Sequence, residues 1–340
     1  MKKFFALILI CTLCLALCAC GQQAQAPETD GGVNIVATVF PAYDFARQIA
    51  GDDGNVTLLI PPGSEAHSYE PTPQDIIRIQ NCDLLVCNGG ESEAWLDEIL
   101  GGMDREIPAV VMLDCVDALT EEVKEGMQVH GHDHGHDDHD HDEHDGHDHD
   151  EHDGHDHDDH EEHEEEYDEH VWTSPVNAQL ICRAISAALC EADPAHASDY
   201  TARCVDYCAE LQELDADFRS VIANAKRHTL IFADRFPVRY FVEEYGLDYF
   251  AAFPGCADDA EPSARTVAFL IDRVREEQAP AVLYIEFSNQ KMADIVCEDT
   301  GCGKLLFNSC HNVTADQLRG GVTYLELMRG NLETVKEALG

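Results

Sequence analysis

Runs of apolar residues alternate with segments of helical periodicity along most of the chain. Four such runs occur in the first third, separated by amphipathic segments, and they read VNIVATVF, NVTLLI, DLLVCNG and PAVVML. A run that is apolar at every position is typical of a strand covered on both faces of its sheet. The pattern therefore predicts four parallel strands with helices between them.

A second alternation of the same kind begins near residue 227. Its apolar runs read TLIFA, LDYFAAF, AVLYIEF and KLLFN. Between the two alternations, apolar residues recur at helical spacing over residues 197–225. We therefore predict an α/β protein of two lobes, each a roughly four-stranded parallel sheet flanked by helices, joined by one long helix. The predicted bounds are 33–193 for the N-terminal lobe, 194–226 for the linking helix and 227–340 for the C-terminal lobe.

The N-terminus carries two lysines and then an apolar run of about 16 residues, too short and wrongly flanked for an ordinary membrane span. Residues 17–21, Leu-Cys-Ala-Cys-Gly, resemble a bacterial lipobox. We predict a lipoprotein signal peptide over 1–20, lipidation of Cys20 and a polar tether over 21–32. A conventional signal peptide cut near Cys18 or Ala19 is the alternative. The lipid would hold the protein at the outer face of the cytoplasmic membrane.

The first lobe is interrupted by an insertion over residues 116–168, in which fourteen of the nineteen histidines alternate with carboxylates. Within it DEHDGHDH occurs twice, over residues 142–157, and because this repeat has no apolar face it can bury nothing, so the insertion is predicted to be disordered without metal. Its composition suits loose binding of several Zn²⁺ ions. We interpret it as an accessory metal tract, with a plain solubilising linker as the alternative. Its histidines are His130, His132, His134, His136, His139, His141, His144, His147, His149, His152, His155, His157, His160 and His163.

The net charge of −46 narrows the choice of partner. Nucleic acid requires a basic surface and is excluded, whereas a divalent cation is favoured. Of the five histidines outside the tract, His67 and His311 each follow a predicted strand, and His170 precedes a helix. Imidazoles in such loops suit a borderline metal such as Zn²⁺. His196 and His228 flank the long helix and are interpreted as surface or capping residues.

Two segments resemble a known family. The segments PPGSEAHSYEPTPQDI and DEHVWTSPVNA are similar to the first and second metal-ligand segments of the zinc and manganese solute-binding proteins of bacterial ABC transporters. The resemblance covers essentially the whole mature chain. It implies that His67 and His170 are ligands in a cleft between the lobes. It also implies that the insertion is the charged loop typical of the family's zinc members.

The second lobe departs from the family pattern in LIFADRFPVRYFVEEYGL. An ungapped match places Arg235, which cannot bind a cation, where the family has its third ligand. A shift of one residue offers Asp234, and the alternative is that Asp234 pairs with a neighbouring arginine. His311 is the candidate fourth ligand, with a Cys310 thiolate as a weaker alternative. Glu286 is a candidate acceptor for a ligand imidazole.

The expected function is extracytoplasmic capture of Zn²⁺ and its delivery to the membrane permease of an ABC transporter with its cytoplasmic ATPase, by a monomer. A manganese protein of the same family is one alternative, although manganese favours more oxygen ligands. A surface metal buffer or adhesin without a transport role is another. A zinc hydrolase is disfavoured, because the chain contains neither HExxH nor a nucleophile elbow, and no enzyme activity is expected.

Overall fold

Each lobe is built on a four-stranded sheet, and the two sheets have the same strand order. The computed structural model describes residues 32–65, 68–128, 166–256 and 262–340. In the first sheet the order is β2-β1-β3-β4, and in the second it is β6-β5-β7-β8. All neighbouring strands are parallel, which confirms the predicted fold class. The strands are β1 (Val33–Ala37), β2 (Gly54–Leu58), β3 (Leu84–Cys87), β4 (Ala109–Val111), β5 (Thr229–Phe236), β6 (Asp248–Pro254), β7 (Ala281–Tyr284) and β8 (Gly303–Leu306).

Helices follow most of the strands, and one long helix lies in the sequence between the strands of the first sheet and those of the second. The helices are α1 (Phe40–Ala50), α2 (Pro73–Asn81), α3 (Trp95–Gly101), α4 (Pro175–Ala192), α5 (Ala197–Ala223), α6 (Arg239–Tyr245), α7 (Ala264–Glu277), α8 (Lys291–Thr300), α9 (Ala315–Arg319) and α10 (Tyr324–Leu339). The long helix α5 confirms the pattern seen over residues 197–225. The short helix α9 has no counterpart in the sequence-based prediction.

Capping residues fix where the helices near the loops begin. The Thr72 hydroxyl accepts a hydrogen bond from the Asp75 N–H, and Pro73 takes the first helical position of α2. Ser174 caps α4 in the same way, ahead of Pro175. Such caps satisfy N–H groups that the first turn of a helix leaves without partners. They also fix the direction in which each preceding loop enters its helix.

One continuous apolar core joins the two lobes. It contains buried residues of both central strands, such as Ile35 and Phe232, together with α4, α5 and α10. Helix α10 returns to the first lobe, where the ring of Tyr324 packs edge-on against Phe45 at 4.9 Å. The Tyr324 N–H donates to the buried Asp44 carboxylate at 2.7 Å. Residues 33–340 therefore form one compact unit.

Several predictions fall on residues outside the described ranges. They concern the signal peptide, Cys20, the tether, His67 and the histidines of the tract. Within the described ranges, no helix combines the length and the apolar composition needed to cross a bilayer.

Candidate metal centre

His170 lies fully buried at the entrance to α4. A short 3₁₀ helix, Val171–Thr173, separates it from the Ser174 cap, and its side chain is 1% exposed. Its ring Nδ1 lies 3.1 Å from Asp168 Oδ1, and the same oxygen accepts the His170 N–H at 2.9 Å. A carboxylate on one ring nitrogen fixes the orientation of an imidazole and makes the other nitrogen a better metal ligand. In this arrangement Nε2 is the ring nitrogen through which a metal would be coordinated.

Asp168 is itself held firmly. Its carboxylate is almost completely buried, its N–H donates to Leu119 O at 2.8 Å, and its carbonyl accepts the Tyr240 hydroxyl at 2.9 Å. Gly255 passes so close that an added Cβ would lie 3.3 Å from Asp168 Oδ2 and 2.9 Å from a backbone oxygen. The position of His170 is thus set by contacts from both lobes.

His311 comes from the other lobe and faces His170. Their ring centroids lie 5.3 Å apart at 90°, and the buried Trp172 ring lies against both, at 5.6 Å from His170 and 5.2 Å from His311. The Trp172 indole N–H donates to Ser309 O at 2.8 Å, so it also fastens the loop that carries His311. The structure therefore brings together two of the four predicted ligands.

Glu286 shapes the loop that carries His311. Its carboxylate accepts hydrogen bonds from the Ser309 N–H at 2.7 Å, the Ser309 hydroxyl at 2.6 Å and the His311 N–H at 3.2 Å. Glu286 was predicted to accept from an imidazole, but these contacts are with the backbone and a hydroxyl. Cys310 adopts a left-handed φ of 62°, which is uncommon for a residue with a side chain, and its thiol donates to Asn308 O.

Burial and the neighbouring carboxylates shift the pKa of His170 in opposite directions. Burial lowers its pKa, but the carboxylates of Asp168, Glu169 and Glu121 outweigh this, so the pKa lies above the usual imidazole value. Burial raises the pKa of Glu286, although Ser309 and His311 donate to it. A divalent cation beside these groups would favour the neutral imidazole and the ionised carboxylate.

A small cavity lies between the loops of the two lobes. It holds about 20 Å³, and its walls include Glu65, His170, Arg235, Glu286 and His311. A volume of roughly 10–15 Å³ accommodates one water molecule, so the space is suited to a single ion or water rather than an organic ligand.

Asp234 is not brought together with the two histidines. Its carboxylate accepts hydrogen bonds from the Arg235 N–H at 2.8 Å, the Ile285 N–H at 3.3 Å and the Ser288 side chain. Successive side chains of a strand point to opposite faces, and it is Arg235 that lines the cavity. The role of Asp234 as a ligand stays a prediction.

The described residues do not form a complete set of ligands by themselves. Among them, no three His, Cys, Asp or Glu side chains are grouped so as to hold a metal ion. A full set would have to include a residue outside those ranges, such as His67. Sequence reasoning also missed the contribution of Asp168 and Trp172, although they are the first and last residues of DEHVW, in the segment that carries the resemblance.

Comparison with known proteins gives a consistent answer. Residues 35–338 match the model of the family described as zinc-uptake complex component A, periplasmic. The chain is 30% identical over 340 residues to the zinc-binding lipoprotein AdcA of Streptococcus pneumoniae, covering 99% of this chain and 61% of AdcA. It thus spans about three fifths of that relative. It is 30% identical over 341 residues to the high-affinity zinc uptake system protein ZnuA of Bacillus subtilis, covering 99% and 98%.

Solved structures show the same fold. The metal-dependent lipoprotein YcdH of Bacillus subtilis superposes with a TM-score of 0.70 at 27% identity, covering 91% of this chain and all of that one. The Zn(II)-bound ZnuA-like domain of Streptococcus pneumoniae AdcA gives a TM-score of 0.67 at 25% identity, covering 91% and 99%.

Proposed function

This chain belongs to the family of zinc-uptake complex component A proteins, and from that premise we propose that it captures Zn²⁺ outside the cytoplasmic membrane for an ABC-type permease with its cytoplasmic ATPase. The observation that carries the proposal is the pair of imidazoles from two lobes, 5.3 Å apart beside an ion-sized cavity. The relatives named above as zinc-binding or zinc-uptake proteins support the choice of metal. Solute binding rather than catalysis is the function of such a family.

The proposed ligands are the imidazoles of His67, His170 and His311. Three imidazoles leave one position of a tetrahedral zinc site, and Glu286 is a carboxylate that lines the cavity. Its two oxygens already accept hydrogen bonds from residues 309 and 311, but a carboxylate has about four acceptor sites. We therefore propose Glu286, rather than Asp234, as the oxygen donor.

Capture of zinc would be coupled to loss of a proton from His170. The Asp168 carboxylate holds Nδ1, so Nε2 would coordinate, and at a pH where the ring is protonated the Nε2 proton would leave as the metal enters. The proposed lobes, 33–193 and 227–340, each supply ligands, and the linking helix over 194–226 would restrict their relative motion to a small one. Release would follow when docking on the permease moves these loops apart.

The His/Asp/Glu tract is proposed to be accessory. It would collect zinc weakly on a chain held at the membrane by the lipid on Cys20, near the tighter site. Manganese is disfavoured as the cargo, because three of the four proposed ligands donate through nitrogen, and manganese prefers more oxygen donors than one carboxylate supplies.

Zinc titration with metal analysis tests the proposal. The chain from Gln22 without residues 130–163 should bind one zinc tightly, and His170→Ala should abolish or greatly weaken that binding. His196→Ala is the matched control, since His196 pairs with Asp193 on the surface, and it should leave the affinity unchanged. If the shortened chain binds no zinc tightly, the site between the lobes is not the functional one.

A further inference from the structure

Polar contacts from the second lobe hold the loop that leads to His67. Asn312 Nδ2 donates to Pro61 O at 2.9 Å and to Ser64 O at 2.8 Å. Arg235 Nη2 lies 3.1 Å from Glu65 Oε2. Glu65 precedes His67 by two residues, and Asn312 directly follows His311. The two loops that carry these histidines are therefore joined by an amide and by an ion pair.

The two contacts differ in their exposure to water, because the Asn312 amide is buried whereas the ion pair lies at the rim of the cavity. Asn312 is 6% exposed, and the side chain of Arg235 is 14% exposed, whereas that of Glu65 is 42% exposed. A buried amide that loses its acceptors costs more than a surface one, since water does not replace them. Charges beside a cavity are also screened less than fully exposed charges. The Asn312 hydrogen bonds are consequently expected to contribute more than an ordinary surface pair, and the half-exposed ion pair is expected to contribute less than they do.

The position of Arg235 is unfavourable at first sight, because its positively charged guanidinium lines a cavity proposed for a cation. A guanidinium stays charged at any physiological pH, so alone it would repel Zn²⁺. Glu65 neutralises it across the gap between the lobes. The pair therefore joins the two loops without leaving a net positive charge beside the metal.

We propose that Glu65, Arg235 and Asn312 form an interlobe latch, which fixes the loop of His67 to the loop of His311 and so sets how long zinc stays bound. This inference rests on the proposed function. None of the three residues is a proposed ligand, so they are positioning residues. Breaking the latch should speed zinc release while leaving zinc entry nearly unchanged, because the ligands themselves remain.

The test is stopped-flow release of zinc into excess chelator from the mature full-length chain loaded with one equivalent of zinc. Glu65→Gln and Asn312→Ser should each raise the dissociation rate about tenfold, with the association rate changed much less. Glu65→Gln should release zinc faster than Glu65→Gln combined with Arg235→Gln, because only the single variant removes the Glu65 charge while keeping the guanidinium beside zinc. Asp299→Asn, which breaks the exposed Arg275–Asp299 pair in the same lobe, is the control.

Two outcomes would overturn the latch. One is a wild-type release rate in both Glu65→Gln and Asn312→Ser. The other is additive effects of the Glu65 and Arg235 substitutions. In either case the proposed function would still stand if the wild-type chain binds zinc tightly and His170→Ala does not. Failure of the proposed function looks different, because His170→Ala would then leave the affinity and release rate unchanged.

Discussion

At the scale of single residues, the pairing of Asp168 with His170 does most to define the site. The carboxylate lies two residues before the imidazole and contacts both its Nδ1 and its backbone N–H. Because both groups are buried, little solvent competes with this contact. One carboxylate therefore decides both the orientation and the basicity of a proposed ligand.

Replacing Asp168 by Asn tests this role. We expect zinc affinity to fall by about 10- to 100-fold, the range typical for partners of metal-binding histidines. Competition with a chelator of known affinity gives the measurement. Glu98→Gln, at an exposed carboxylate of α3, is the control. An affinity within twofold of wild type would contradict the role assigned to Asp168.

Zinc affinity should also fall as the pH is lowered. The pKa of His170 is raised in the folded protein, so protons compete with zinc already at and somewhat above the usual imidazole pKa of about 6.5. In Asp168→Asn the carboxylate no longer opposes burial, and the pH at which affinity begins to fall should move downward. Titrations at several pH values measure both curves; coincident curves would exclude this coupling.

The raised pKa of His170 also predicts how the stability of the metal-free protein depends on pH. A raised folded pKa stabilises the fold fully below the unfolded pKa of His, and this contribution is lost as the pH rises through the higher folded pKa. Metal-free protein should therefore lose this part of its stability over the pH range in which zinc binding becomes stronger. Urea unfolding of wild type and of His170→Ala, compared across that range, gives the measurement. If the free energies of unfolding of the two proteins change with pH in the same way, His170 makes no such contribution.

At the scale of elements, the sequence was sufficient for the strands, most helices and the long α5, since these follow from apolar periodicity and capping residues. It was not sufficient to place the side chains of Asp234 and Arg235, and the role of Asp234 as a ligand stays a prediction. The pairing of β5 with β6 shifts register between Phe232 and Arg235, and that shift arises from the contact of two strands. The Asp168 contact escaped prediction for a similar reason, because the conformation of residues 168–170 depends on Leu119 and Tyr240.

The docking of α10 on the first lobe can be tested at Asp44. This buried carboxylate accepts the Tyr324 N–H and an Arg47 hydrogen bond, and burial raises its pKa. Asp44→Ala should lower the free energy of unfolding by about 2–4 kcal/mol, since it leaves buried donors without an acceptor. Urea denaturation measures it, with the exposed Asp52→Ala as control. A loss below about 0.5 kcal/mol, the range of ordinary surface substitutions, would show that this contact does not hold α10.

At the scale of the whole molecule, two sheets of the same strand order direct their loops at one cavity. Ligands of open α/β sheets bind beyond the carboxyl ends of the strands, and here His311 follows β8 while Glu286 follows β7. His170 reaches the same place from the entrance of α4. A site shared by two lobes can respond to a partner that moves them, which a site within one lobe cannot do as readily.

The most direct measurement is the position of zinc in crystals of the mature chain carrying one equivalent of the metal, from anomalous diffraction at the zinc edge. We expect one strong peak between the lobes, at about 2.0–2.1 Å from imidazole nitrogens of His67, His170 and His311. A cavity without zinc, with the metal bound only elsewhere on the chain, would contradict the central claim.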